Sequence, residues 1–201
     1  MRLRYLLAVA AGKTPAPLLC FLHGYGEAAP HAIERALRLH GPLAPSAAAI
    51  AKREFVIVAP QLPTAGDIWA RHADDVRGLV AGICVKHAVE AARMYLTGFS
   101  FGGNGVFDLG LAQPDLWAAL WAVDPTRVPR KAPAQPLWLS AGEVACAQKH
   151  EFRRALRMAR SAFTAGCCSV CASAPPWASR LARADHFLGS LPAGGLHWPG
   201  K

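Results

Sequence analysis

The chain has 201 residues, of which 53% are hydrophobic and 17% are charged, so it suits one globular domain over residues 1–201 and not a disordered protein. Its formal net charge is +9, but the basic residues form no long run, which argues against nucleic acid as a partner. No apolar stretch reaches the ~20 residues of a membrane span, and the six cysteines lack the paired C-x-x-C spacing of a structural zinc site.

The first predicted element is a strand over residues 3–10. Two arginines precede this apolar run, as they would in a secretory signal, but the next apolar segment follows almost at once. Removal of the first run would therefore take a strand away from the domain. The pattern favours a cytoplasmic protein over a secreted one.

Short apolar runs then alternate with helical patterns along the chain. The runs predicted as strands are Leu18–Leu22, Phe55–Ala59, Met94–Thr97, Leu120–Val123 and Leu137–Ser140. The helical patterns cover Asp74–Ala91, 103–112 and 148–162, and the last of them places Arg153, Arg154, Arg157 and Arg160 on one solvated face. Continuous apolar strands separated by helices are typical of a mostly parallel sheet with helices on both faces, which is the α/β class.

The tail after about residue 164 is the least regular part of the sequence. Phe163–Ser173 could form a last strand, but two proline-containing breaks follow it. Its cysteines Cys167, Cys168 and Cys171 are predicted to be free thiols, with one disulfide among them as the open alternative.

The strongest motif lies where the strand Met94–Thr97 meets the next helical pattern. The chain reads Gly98-Phe99-Ser100-Phe101-Gly102 there, which is G-x-S-x-G between a strand and a helix. In this context the serine sits on a strained turn that exposes its hydroxyl group, and the glycines let strand and helix approach closely. Ser100 is therefore the predicted nucleophile, and the N–H group of Phe101 is a predicted oxyanion donor. The alternative is an ordinary glycine-rich turn with a capping serine.

A second motif, His23-Gly24-Tyr25-Gly26, follows the strand Leu18–Leu22. In hydrolases with a G-x-S-x-G turn, a loop of this kind supplies the second oxyanion donor, which here is the N–H group of Tyr25. His23 is then expected to shape the loop and not to act as the base. The loop comes before the serine turn in the chain, which is the expected order.

These motifs resemble those of small α/β-hydrolase esterases, close to polyhydroxybutyrate-depolymerase-like and dienelactone-hydrolase-like proteins. The resemblance covers roughly residues 5–143 and includes FLHGYGE, LHGPL, VIVAPQLP and the block Met94–Leu120. It implies the α/β-hydrolase fold and ester hydrolysis through a Ser–His–acid triad in that chain order. No long insertion follows the strand Leu120–Val123, so no large lid domain is expected.

The histidine of such a triad is expected late in the chain, on a loop after the final strand. His186, in the setting Asp-His-Phe, is the predicted base. His197 is the alternative, although its loop would be poorly held so close to the end of the sequence. His150 falls in a helical pattern and is predicted to be a surface residue.

The acid of the triad departs from the family pattern. After the strand Leu137–Ser140 the family usually carries Gly-x-x-Asp, but this chain has Ala145 in place of the aspartate. Asp124, directly after the preceding strand, is the predicted acid, and Glu143 is the alternative. Asp185 would point away from its neighbour His186 and is not favoured.

The predicted function is hydrolysis of short or accessible carboxylic esters through an acyl-enzyme. The aromatic residues Tyr25, Trp69, Phe99 and Phe101 favour an apolar acyl site. The expected partner is a small-molecule ester, the expected state is a monomer or homodimer, and neither a cofactor nor a metal is expected. The alternatives are a binding protein that has lost activity on this fold, or a thioesterase, peptidase or perhydrolase.

Overall fold

The computed structural model describes residues 3–12, 15–45, 47 and 54–157. Within these ranges, six strands form one sheet in the order β1-β3-β2-β4-β5-β6. The strands are β1 (Arg4–Ala8), β2 (Ala16–Leu22), β3 (Val56–Gln61), β4 (Val89–Phe99), β5 (Ala119–Val123) and β6 (Leu137–Ser140). Only the β1–β3 pair is antiparallel among these neighbours, and the other four pairs are parallel. The predicted α/β class is confirmed.

The described helices are α1 (Ile33–Ala36), α2 (Ala73–Lys86), α3 (Phe101–Ala112), α4 (Glu143–Ala147) and α5 (Lys149–Ala155). Short 3₁₀ turns lie at Tyr25–Glu27, Gly41–Leu43 and Trp69–His72. None of these helices combines the length and the apolar character that crossing a membrane requires.

The sheet is buried on both faces. Every residue of β2, β3 and β5 is buried, which explains why these strands read as continuous apolar runs. One face packs against α2, α3 and α5 through side chains such as Val80, Phe107 and Phe152. The other face carries Phe21, Tyr95, Trp121 and Trp138, and the two tryptophan rings stack with their centroids 4.6 Å apart.

Two predicted helices are longer than the observed ones. The prediction Asp74–Ala91 is wrong at its end, because α2 stops at Lys86 and Val89 already pairs with Ala16 as part of β4. The predicted helix 148–162 is observed over Lys149–Ala155 and is interrupted at Arg157, whose φ of 53° is not helical, and its residues 158–162 lie outside the described part of the chain. The strand predicted at Phe163–Ser173 lies outside the described residues.

Candidate functional site

The register of the sheet brings three of the predicted site segments to one edge. Leu22 of β2 pairs with Gly98 of β4, and Phe99 pairs with Val123 of β5. Because these strands are parallel, the residues that follow them leave the same edge of the sheet, and neighbouring strands lie about 4.8 Å apart. The H-G-x-G loop, Ser100 and Asp124 therefore meet at the carboxyl ends of three adjacent strands.

Ser100 occupies a strained turn at the end of β4. Its φ is 54° and its ψ is −113°, a conformation that non-glycine residues rarely adopt and that costs ~1–3 kcal/mol. The turn is held from two sides, since the Ser100 N–H group donates to the Val123 carbonyl at 2.8 Å and its carbonyl accepts the Asn104 N–H group at 3.2 Å. The side chain remains partly exposed. This is the geometry of a serine presented for attack on a substrate.

The two glycines of the motif permit this turn. A Cβ atom on Gly98 would overlap the carbonyl group of Gly102, and one on Gly102 would overlap the carbonyl oxygens of Leu22 and His23. Strand β4, helix α3 and the end of β2 thus approach with no side chain between them. The two glycines of the G-x-S-x-G motif are therefore required by this close packing around the serine.

Replacing Gly102 with alanine is expected to lower the free energy of unfolding by about 2–4 kcal/mol, because the new methyl group meets backbone that cannot move aside. Gly82→Ala in α2 is the matched control. Its Cβ would meet nothing within 4 Å, so this change should add about 0.5–1 kcal/mol. Urea unfolding of the two variants measures both effects, and a Gly102→Ala protein as stable as the wild type would contradict the packing argument.

His23 shapes the loop after β2, as the sequence predicts. Its side chain is fully buried, and its Nε2 atom accepts the Leu62 N–H group at 3.0 Å. The proton is therefore on Nδ1, which donates to the Gly24 carbonyl at 2.6 Å. Burial lowers the pKa of His23 to about 4, so the ring is neutral at pH 7. A neutral ring with both nitrogens engaged is a structural group, and it is not available as a base.

The two residues that carry the predicted oxyanion donors are in contact through their side chains. Tyr25 begins the 3₁₀ turn after β2, and Phe101 begins α3 directly after Ser100. The two aromatic rings meet edge to face with their centroids 5.7 Å apart. Both N–H groups are at the first position of a helical turn, where backbone donors have no partner within the helix and can serve an anion.

Asp124 follows β5 and is anchored to the next loop. It takes a left-handed φ of 42°, and its Oδ1 atom accepts the N–H groups of Gly142 and Ala145 at 3.0 and 3.1 Å. Among the described residues, no group donates to Oδ2. Ala145 stands where the family carries its aspartate, and here its backbone holds the carboxylate of Asp124 instead.

Asn104 also holds this region, although the sequence gives no prominent sign of it. Its Oδ1 atom accepts the N–H groups of Thr126 and Arg127 at 3.0 and 2.9 Å, and its Nδ2 donates to the Thr126 hydroxyl group at 2.8 Å. The loop after Asp124 is thereby tied to the first turns of α3. An asparagine four residues after the serine of such a turn is the signal that could have pointed to this role.

The remaining predicted residues are not all placed. His186 and His197 lie outside the described residues. Glu143 is the first residue of α4, and its side chain is not among those that the structure describes. His150 is exposed on α5, as predicted. In the described part of the chain, no group of three or more histidine, cysteine or acidic side chains could hold a metal ion.

A groove begins beside the serine turn. It has a volume of about 230 Å³ and is lined by the apolar side chains of Ile68, Trp69 and Phe101 and by the polar side chains of Asn104, Asp108 and Arg127. The ring of Phe99 turns away from this groove and packs against His40, with the centroids 5.7 Å apart. Of the four aromatic residues predicted to form an apolar acyl site, Trp69 and Phe101 line the groove, whereas Tyr25 contacts it only through the ring of Phe101 and Phe99 lies elsewhere.

Two solved structures resemble this chain in fold. A thermostable esterase superimposes with a TM-score of 0.58 at 20% identity, over 76% of this chain and 47% of that one. An acetyl xylan esterase from Aspergillus awamori gives a TM-score of 0.51 at 14% identity, over 62% of this chain and 47% of that one. The chain thus spans about half the length of these proteins. The sequence matches no protein-family model and no curated protein. The likeness and the sheet topology show an α/β-hydrolase fold.

Proposed function

We propose that this chain is a serine carboxylesterase with Ser100 as its nucleophile. The observation that carries the proposal is the strained turn at Ser100, whose φ is 54° at the carboxyl end of β4. Strain of this kind persists only where the surrounding structure enforces it, and a presented hydroxyl group is what it achieves here. Both of the solved structures compared above are described as esterases, which agrees with this reaction.

In the proposed first step, the Ser100 hydroxyl oxygen attacks the ester carbonyl carbon while His186 takes the hydroxyl proton. The N–H groups of Tyr25 and Phe101 donate to the oxyanion that forms, and loss of one such donor typically costs 10²–10³-fold in rate. His186 then gives its proton to the leaving alcohol oxygen as the carbon–oxygen bond breaks. Water, deprotonated by the same histidine, releases the acid from the acyl-enzyme.

Asp124 is the proposed partner of His186. Two backbone N–H groups fix its Oδ1 atom, which leaves Oδ2 to accept the histidine Nδ1–H. The carboxylate would thereby select the histidine tautomer and stabilise the imidazolium. It lies one strand away from Ser100 at the same edge of the sheet, where a single imidazole ring can bridge the two groups.

The groove lined by Ile68, Trp69 and Phe101 is proposed to hold the apolar part of the ester. Phe101 lines the groove and also carries one of the proposed oxyanion donors, so the groove lies next to the proposed reaction site. A groove of about 230 Å³ suits a short acyl or alkoxy group. Small-molecule esters with short chains are therefore the proposed substrates.

A fluorophosphonate probe tests the proposal against the alternative of a binding protein that has lost its activity. The wild-type protein is expected to form a covalent adduct at Ser100, because the probe reports a serine activated by a base. The peptide that carries the adduct is identified by mass spectrometry. Ser140→Ala is the control, since this serine accepts the Trp121 indole N–H group at 2.9 Å and should not react. An unlabelled wild-type protein would favour the binding protein.

A further inference from the structure

Glu27 is a buried acid beside the proposed oxyanion site, and the reaction scheme above does not use it. Only 7% of the residue is exposed, and its Oε2 atom accepts the N–H group of Gly24, the residue before Tyr25. Its own backbone carbonyl accepts the Gln61 side-chain amide at 3.0 Å, which fixes the far end of the turn. The carboxylate therefore closes the loop on which Tyr25 stands.

Two side chains pin two consecutive peptide groups of this loop. Glu27 holds the N–H group of Gly24, and the protonated Nδ1 of His23 holds the carbonyl group of Gly24 at 2.6 Å. In a planar trans peptide the carbonyl group and the following N–H group point in opposite directions. His23 thus holds the peptide plane that carries the Tyr25 N–H group, the proposed oxyanion donor, and Glu27 holds the plane before it. With both planes held, the Gly24 torsion angles between them, φ −76° and ψ −172°, are fixed, and so is the direction of the Tyr25 N–H group.

We propose that Glu27 is a positioning residue of the oxyanion loop, and that its ionised carboxylate, acting through Gly24 and together with His23, holds the Tyr25 N–H group in its working orientation. The inference rests on the proposed function of Ser100. Glu27 itself touches neither the ester nor the serine. A hydrogen bond to a carboxylate is roughly twice as strong as one to a neutral acceptor, so the loop is held more firmly when Glu27 is ionised.

The surroundings of Glu27 make this ionisation sensitive to pH. Burial raises the pKa of Glu27 to about 7. Two titratable groups face it: His23 Nδ1 lies 3.9 Å from Oε2, and His40 Nε2, from the loop after α1, lies 3.8 Å from Oε1. Burial lowers the pKa of both histidines, so neither supplies a positive charge at pH 7. Gln61 of β3, whose side-chain amide bonds the Glu27 backbone carbonyl, is neutral.

Ionisation of Glu27 is expected to change stability and catalysis in opposite directions. A carboxyl group whose pKa rises on folding favours the folded state while it is protonated, and this stabilisation is lost as the pH rises from 4.5 to about 7. Over the same range the carboxylate forms and tightens the loop. The proposal therefore predicts a catalytic constant that rises with pH while the stability contributed by Glu27 falls.

The test compares the wild-type protein with Glu27→Gln, which keeps an acceptor oxygen and the side-chain size but loses the charge. The catalytic constant and KM for p-nitrophenyl acetate are measured from pH 5 to 9, together with the midpoint of thermal unfolding. Above pH 7 the catalytic constant of Glu27→Gln should be about 10–100-fold lower with KM unchanged, and below pH 6 the two proteins should converge. The unfolding midpoint of the variant should exceed that of the wild type above pH 7.

Glu34→Gln is the matched control, because Glu34 is an exposed acid on α1 that pairs with Arg38, beyond the end of this helix, and the same charge is removed. Glu27→Asp is a second variant that keeps the charge but shortens the side chain, and it should lose rate while keeping the ionisation near pH 7. A Glu27→Gln protein with the wild-type catalytic constant at pH 8, or with an equal loss at every pH, would overturn the positioning role alone. A wild-type protein without ester hydrolysis would overturn the proposed function and this inference with it.

Discussion

Replacing Ser100 with alanine is expected to lower kcat/KM for p-nitrophenyl butyrate by about 10⁴–10⁶-fold, because the atom that attacks the ester is removed. The fold should survive, since no described residue hydrogen-bonds the Ser100 side chain, and the backbone bonds to Val123 and Asn104 do not depend on it. Steady-state hydrolysis and thermal unfolding, measured on the same preparation, separate loss of chemistry from loss of structure.

Ser140→Ala is the control for this experiment. Ser140 ends β6 at the same edge of the sheet, and its hydroxyl group is occupied by the indole of Trp121. Its replacement should leave kcat/KM within about twofold of the wild-type value, which corresponds to less than about 0.5 kcal/mol. Esterase activity that persists in a correctly folded Ser100→Ala protein would remove Ser100 from the mechanism.

Asp124→Asn is the second substitution with a large expected effect. The asparagine oxygen can still accept the N–H groups of Gly142 and Ala145, and asparagine tolerates the left-handed φ of 42°. The other terminal atom becomes an amide donor, which cannot accept the histidine Nδ1–H and so favours the wrong tautomer. The expected loss in kcat is about 10⁴-fold, with KM and the unfolding midpoint nearly unchanged.

Glu143→Gln distinguishes the two acids. Glu143 lies on α4, only two residues before the Ala145 N–H group that holds Asp124, so the two carboxylates belong to the same region of the molecule. If Asp124 is the acid, Glu143→Gln should retain kcat within a few-fold of the wild-type value in the same p-nitrophenyl ester assay. The reverse result, a collapse in Glu143→Gln and a working Asp124→Asn, would assign the acid to Glu143.

The strands were predictable because burial on both faces leaves a continuous apolar signature. The strand β6 has its predicted bounds, and β5 begins one residue before the prediction. The first half of β4 was not predictable in this way. Its residues 89–93 are exposed or only partly buried, and what makes them a strand is the pairing of Val89 with Ala16, a contact that no local pattern reveals.

The residues of the candidate site also differ in how clearly the sequence shows them. Ser100 and its two glycines lie within five residues of one another, so the sequence motif finds them directly even though they pack on distant residues such as Leu22 and Val123. Glu27 belongs to no such motif, and its contacts with His40 and Gln61 are made only in the folded chain. The sequence signal for Glu27 is a glutamate that directly follows the H-G-x-G motif in an otherwise apolar segment.

Ala145 has a role in the fold that its side chain does not reveal. Reading position 145 by its side chain alone suggests that a carboxylate is missing. In the folded chain the backbone of Ala145 donates to Asp124, so the position contributes an N–H group where the side chain contributes nothing. A motif compares side chains, and a contribution made by the main chain is invisible to it.

The contacts that hold the serine turn also affect how the protein unfolds. The Ser100 N–H group is bonded to β5, its carbonyl group is bonded within α3, and Gly102 rests on the backbone of β2. The turn cannot relax to an unstrained conformation unless these three elements separate, and they are the centre of the molecule. Ser100 therefore belongs to the central part of the described sheet, which is expected to unfold as one cooperative unit and in which local fluctuations should be rare.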